Sequence, residues 1–255
     1  MDRLVYTTLS AATSQEFNRI QLTSDLANVS TTGYKRGNSH APVSGVVEGP
    51  GFRTRFQPLV SSGVEAVDLA PGPALTSGNP LDLFMHDNTV LGVQAADGNI
   101  AFTRRGDLRI NPAGLLETSV GNLVMSAAGG PISVPADFQV TMTEDGGVYV
   151  TDPAVEAPVP QLVGQLMLRD ASATGLVRRT DGLYQPALQQ LPNGDFASGT
   201  EPARVTSGAL EGSNVNPVEV MVNLLDLQRS FETQMKIIKS MEELDRDGAQ
   251  MMSLR

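Results

Sequence analysis

Asn216-Pro-Val-Glu-Val-Met-Val-Asn-Leu-Leu-Asp-Leu-Gln-Arg-Ser-Phe231 opens a stretch that runs to about Met252 with no Gly or Pro before Gly248. Its start is well marked. Asn216 is a good N-cap, because its side-chain oxygen accepts from one of the orphan backbone N–H groups of a first helical turn. Pro217 suits the next position, where a missing N–H costs nothing. Stepping by three and four from Val220 gives Leu224, Leu227, Phe231, Gln234, Ile238 and Met241, and only Gln234 breaks the apolar row. A second row, Met221, Leu225, Met235 and Met252, widens the stripe beyond a two-stranded seam. At 1.5 Å per residue this helix is roughly 50 Å long. A modest domain does not bury such a helix by itself, so it needs a partner helix and often a partner subunit.

The N-terminus supplies a candidate partner. Residues 2–29 also lack Gly and Pro, with apolar positions at Leu4, Val5, Leu9, Ala12, Phe17, Ile20, Leu22 and Leu26. Alone this segment is a marginal helix, whereas packed along the C-terminal one it is stable. The reading is therefore a mainly β, α+β chain in which two long terminal helices pair as a coiled-coil-like stalk. Between them residues 31–80, interrupted by Pro42, Pro50, Pro58, Pro71, Pro73 and Pro80, read as an extended connector. From residue 81 to about 205 the pattern turns to short alternating strands punctuated by turn signals. These are Asp97-Gly-Asn99, Asn111-Pro-Ala-Gly114, Gly121-Asn122, Glu144-Asp-Gly-Gly147, Thr180-Asp-Gly182 and Asn193-Gly194. The run Leu162–Leu168 reads as one further strand. Regular spacing of this kind predicts an antiparallel β sandwich or barrel. The four expected segments are thus 1–30, 31–80, 81–205 and 206–255.

Composition narrows the function. The 255 residues carry a net charge of −10 with no basic block, which argues against nucleic acid or an anionic membrane surface as partner. There is no Cys, so disulfides and thiolate metal sites are excluded. His40 and His86 stand apart from any second ligand, no nucleophile elbow or P-loop occurs, and Asp145-Gly-Gly147 is explained by a hairpin turn. No run approaches the ~20 apolar residues of a bilayer-spanning helix, and no signal-peptide core follows Asp2 and Arg3. The expectation is a non-enzymic protein without cofactor or metal.

Three motifs then resemble one family. Leu26-Ala-Asn-Val-Ser-Thr-Thr-Gly-Tyr-Lys35 is similar to the motif that ends the N-terminal helix of bacterial flagellar rod and hook proteins. Asp97-Gly-Asn-Ile-Ala-Phe-Thr-Arg-Arg-Gly-Asp-Leu108, with Asn111 to Leu116 and Gly121-Asn122, resembles the first hairpins of their β domain. Leu210-Glu-Gly-Ser-Asn-Val-Asn-Pro-Val-Glu219 resembles their C-terminal signature. Length fits a rod protein better than a hook protein, and Gly212, Asn216-Pro217 and Arg229 to Lys236 look more like the proximal than the distal rod type. One departure stands out: where the family has two glycines separated by one residue, this chain has Asp87 and Thr89.

The resemblance implies a structural subunit of the basal-body rod, the drive shaft that transmits torque across the periplasm. It implies assembly with copies of itself and other rod subunits in a helical tube. It also implies export through the flagellar type III apparatus without signal cleavage, and no membrane insertion. The alternatives are a distal rod subunit, or a soluble β-domain binding module that oligomerises through its terminal helices. The expected assembly interface comprises Leu22, Leu26, Asn28, Thr31, Thr32, Gly33, Tyr34, Asn214, Asn216, Pro217, Leu224, Leu227, Phe231, Met235 and Ile238.

Overall fold

The computed structural model describes residues 2–38, 45–50, 52–56, 66–135, 138–155, 159–187 and 193–253. His40, Pro42 and Pro58 lie outside the described residues. Helix α1 spans Asp2–Ala27 and helix α2 spans Pro217–Ser253. Between them come β1 (Gly37–Asn38), β2 (Gly45–Gly49), β3 (Phe52–Phe56), β4 (Ala66–Val67), β5 (Ala74–Thr76) and β6 (Leu83–Met85). The chain continues through β7 (Thr89–Gln94), β8 (Ile100–Thr103), β9 (Leu108–Ile110), β10 (Leu116–Thr118), β11 (Gln139–Met142) and β12 (Gly147–Thr151). It closes with β13 (Gln161–Gln165), β14 (Leu168–Asp170), β15 (Leu176–Arg178), β16 (Tyr184–Pro186), β17 (Val205–Ser207) and β18 (Ala209–Glu211). The chain is thus mainly β with two helices, and every strand pairing among the described residues is antiparallel.

The contacts divide the chain into two units. One holds residues 1–27, 39–63 and 216–255, and the other holds residues 28–38 and 64–215. In the helical unit α2 begins where its cap dictates. Asn216 Oδ1 accepts from the N–H groups of Val218 (3.0 Å) and Glu219 (3.4 Å), and its carbonyl takes the first helical bond from Val220 N–H (3.1 Å). The hairpin β2–β3 belongs to the same unit, in register from Gly45↔Phe56 to Gly49↔Phe52.

The β unit is built on a seven-stranded sheet ordered β1-β4-β15-β16-β8-β7-β14, with a three-stranded sheet β11-β12-β13 and smaller two-stranded pairs. The expected turns make the hairpins. Gly98 (φ 83°) closes β7–β8, Gly114 (φ 78°) closes β9–β10, and Gly146 (φ 80°) closes β11–β12. Two apolar clusters fill the unit. The larger includes Leu83, Met85, Leu91, Val93, Leu116, Val124, Val148 and Leu166, and the smaller centres on Val90, Phe102, Leu176, Tyr184 and Phe196. Phe102 and Phe196 meet edge to face at 4.7 Å.

Two expectations are corrected here. The barrel does not form: the large sheet is open, ending in β1 on one side and β14 on the other. The single strand over 162–168 is in fact two, β13 pairing with β12 and β14 pairing with β7. The break has a physical cause. At Leu166 and Met167 the backbone bonds to Gly146 and Met125, outside either ladder (2.8 and 2.9 Å). Asp87, standing where the family has glycine, adopts φ 46°, so an aspartate occupies the left-handed conformation that glycine takes freely. Parts of the expected connector are ordered: β1, β4 and β5 belong to the β unit, β4 joining the seven-stranded sheet and β5 pairing with β18.

Candidate functional site

The helical unit carries an apolar face that its own residues leave uncovered. Val220 is fully buried, and Leu224 and Leu227 are half-buried. With Ala12, Gln15 and Phe231 these two leucines line a groove of about 550 Å³ between α1 and α2. Gln15 Nε2 donates to Ser230 Oγ across it (2.7 Å). The second row behaves differently. Met221 is 52% exposed, Leu225 56% and Met235 49%, with Phe231 at 47% beside them. Val218, Val222, Ile237, Ile238, Leu244 and Met251 are also exposed. A lone exposed apolar side chain means little, but many along one helix mark an interaction surface. The side-chain oxygens Gln15 Oε1 and Gln234 Oε1 are buried with no hydrogen-bond partner. An unsatisfied buried acceptor costs about 1–3 kcal/mol.

The β unit holds a buried ion cluster at the point where its N-terminal and C-terminal segments meet. Lys35, Arg104 and Glu211 are all fully buried. Arg104 grips Glu211 with a two-pronged bond, Nε to Oε2 at 2.8 Å and Nη2 to Oε1 at 2.7 Å. Its remaining N–H groups reach the carbonyls of Met85 (3.0 Å), Thr89 (3.0 Å) and Asp87. Lys35 Nζ donates to Glu211 Oε1 and to Ala70 O, both at 2.7 Å. Gly72 N–H adds a fourth donor to the carboxylate at 3.0 Å. Burial, and then the neighbouring Arg104, pull the Lys35 ammonium from 10.5 down to about 8.

Backbone contacts knit the same segments. Gly33 N–H donates to Glu211 O (2.7 Å) and Gly212 N–H to Pro73 O (2.8 Å). Glycine is required at Gly33, where φ is 67° and a Cβ would lie 2.3 Å from Arg104 O, and at Gly72, where a Cβ would lie 2.1 Å from Gly212 O. Asn214 is a second knot. Its Oδ1 accepts from Arg36 N–H (2.7 Å), its Nδ2 donates to Asp68 O (3.0 Å), and its own N–H reaches Tyr34 O (3.3 Å). Arg178 stacks its guanidinium 4.4 Å over the Tyr34 ring and donates to Lys35 O.

The sequence-expected residues thus fall in two places. Asn28, Thr31, Thr32, Gly33, Tyr34 and Asn214 lie in the β unit. There Thr31 Oγ1 donates to Asn28 Oδ1 (3.1 Å), Thr32 is half-buried, and Gly33 and Tyr34 are buried against their own chain. Leu22, Leu26, Asn216, Pro217, Leu224, Leu227, Phe231, Met235 and Ile238 lie in the helical unit. Of these, Phe231, Met235 and Ile238 are exposed along α2, Asn216 is exposed as its cap, and the others are half-buried. Sequence reasoning missed Lys35, Arg104 and Glu211. The available signal was their position, since each of the three motifs contributes one of them. Among the described residues no group of three potential metal ligands occurs, and no helix is long and apolar enough to cross a membrane.

Comparison with known proteins places this arrangement. The family described as "Flagellar basal body rod FlgEFG protein C-terminal" matches residues 206–251, and the one described as "Flagellar hook protein FlgE/F/G D1 domain" matches residues 88–150. The "Flagellar basal-body rod protein FlgF" of Salmonella typhimurium is 36% identical over 256 residues, covering all of both chains, and that of Escherichia coli is 36% identical over the same span. A "Flagellar basal-body rod protein FlgG" of Buchnera aphidicola is 28% identical, covering 91% of this chain and 92% of its own.

Proposed function

The chain belongs to the family of flagellar basal-body rod proteins, and from that premise we propose that it builds the proximal part of the rod and transmits torque across the periplasm. As a rod-family protein it is a structural subunit. In this reading it stacks with copies of itself and with other rod subunits into a helical tube. The two terminal helices act as a coiled-coil-like stalk, and the β sheets of residues 81–205 pack as a sandwich. It reaches the basal body through the flagellar type III export apparatus without a cleaved signal, and it neither inserts in the membrane nor binds nucleic acid, metal or cofactor.

The observation that carries the reading is the set of exposed apolar residues on α2, Met221, Leu225 and Met235, with Phe231 half-exposed where it lines the groove. A shaft passes torque through many simultaneous contacts between subunits. A long amphipathic helix with a wide exposed stripe supplies such contacts, because each neighbour buries another part of it.

Phe231→Asp tests this. A charge placed in a buried intersubunit contact costs several kcal/mol, while in the isolated chain the half-exposed side chain tolerates it. The expected result is a chain with unchanged thermal unfolding that fails to enter basal bodies, leaving cells non-motile. Normal basal bodies and normal swimming would overturn the assignment of this face.

A further inference from the structure

We propose that Glu211 is the closing latch of the β unit: its carboxylate, last of the three buried charges along the chain, makes burial of Lys35 and Arg104 possible and fastens three distant segments at once. The inference is independent of the rod assignment and rests on the geometry of one chain.

Without Glu211, Lys35 and Arg104 are two like charges held out of water with only backbone carbonyls for hydrogen-bond partners, and Asp68 as the lysine's one remaining countercharge. Those carbonyls are Ala70 O for the lysine, and Met85, Thr89 and Asp87 O for the arginine. Such an arrangement is strongly unfavourable, since a buried charge is tolerated only when paired. The carboxylate that resolves it comes from 176 residues beyond Lys35 and 107 residues beyond Arg104. Glu211 also acts through its backbone, taking Gly33 N–H on its carbonyl and pairing with Ala74 in the β18–β5 ladder. Residues 33–36, 70–74 and 209–214 therefore close as a group or not at all.

The apolar core imposes no such wait. Both buried clusters are complete by Val205, so the sheet core assembles from residues that precede β18. Two stages follow. The core forms first, with Lys35 and Arg104 still hydrated, and the latch shuts when the segment carrying Glu211 docks. Two of the segments it fixes, residues 33–36 and 209–214, follow α1 and precede α2 closely in the sequence.

Pulse-labelling hydrogen exchange on the full chain refolding from urea tests the order. Peptides over β7 and β8 should gain protection first, and those over 28–36, 70–76 and 209–215 should gain it together in a later phase. In the Glu211→Gln chain the β7–β8 peptides should keep their protection while the three latch segments lose about a hundredfold of theirs. The proposal is overturned if the latch segments become protected together with β7 and β8, or if Glu211→Gln leaves them protected. Should the single variant fail to fold, the order seen in the unmodified chain decides alone.

Discussion

Arg104→Lys keeps the charge of the ion cluster and removes only its geometry, which makes it the sharpest probe of how the β unit is held together. Arginine offers five N–H donors in a rigid fork, and lysine offers three from one point. Arg104 uses its fork fully: two bonds to Glu211 and one each to the carbonyls of Met85, Thr89 and Asp87. An ammonium at this place reaches the carboxylate and at most one carbonyl, leaving two buried carbonyls unpaired at about 1–3 kcal/mol each. The expected loss is about 4 kcal/mol. Urea unfolding followed by tyrosine emission reports it, because Tyr34 and Tyr184 are buried in the β unit and the chain has no Trp. The control is Arg109→Lys, a half-exposed partner of Glu117 at 2.7 Å, which should cost less than about 1 kcal/mol. If Arg104→Lys also changes stability by less than about 1 kcal/mol at an unchanged denaturant slope, the carbonyl bonds are not what anchors the arginine and the reasoning fails.

Asp87→Gly should stabilise the β unit by a few tenths to about 1 kcal/mol, since φ 46° costs a non-glycine residue more than glycine's extra unfolded-state freedom takes back; the same urea titration reads it. Asn216→Ala removes the cap of α2 and should cost about 1 kcal/mol of helix stability, seen as a lower melting midpoint of the 222 nm signal. The pH dependence has a defined sign. Lys35 loses its proton near pH 8 in the folded chain and near 10.5 unfolded, so between these values the unfolded state binds more protons and stability rises with pH. Tyr184, pushed up to about 12 by burial, acts oppositely above pH 10. Comparison with Lys35→Met isolates the first effect: the difference in unfolding free energy between the two chains should shift in favour of the native one from pH 8 to 10.

The helices and hairpins were legible because their signals are local. Asn216-Pro217 fixes the start of α2 through one side-chain oxygen, and the Gly98, Gly114 and Gly146 turns fix three hairpins through single residues that accept positive φ. The break between β13 and β14 was not legible, since it is set by Gly146 and Met125 from other parts of the chain. The open sheet was hidden for the same reason: β15 meets β4 at Val177 and Ala66, and no local signal links the two. The ion cluster was the least legible feature. A buried lysine, arginine or glutamate looks like any surface charge until the fold places its partner, here 107 and 176 positions away. At α2 the sequence marked both apolar rows without saying which is covered; the structure divides them, with Leu224 and Leu227 toward the groove and Met221, Leu225 and Met235 outward.

Methionine oxidation measures the central claim directly, because α2 carries its own reporters. Met221, Met235 and Met251 are exposed in the isolated chain, whereas Met85 and Met167 are buried in the β unit. Brief peroxide treatment of purified chain and of isolated basal bodies, read by mass spectrometry, compares the two states. If α2 is the surface through which rod subunits grip one another, Met221 and Met235 should oxidise readily in the purified chain and at least tenfold more slowly in the basal body, with Met85 slow in both. Equal oxidation of Met221 and Met235 in the two samples would contradict the account.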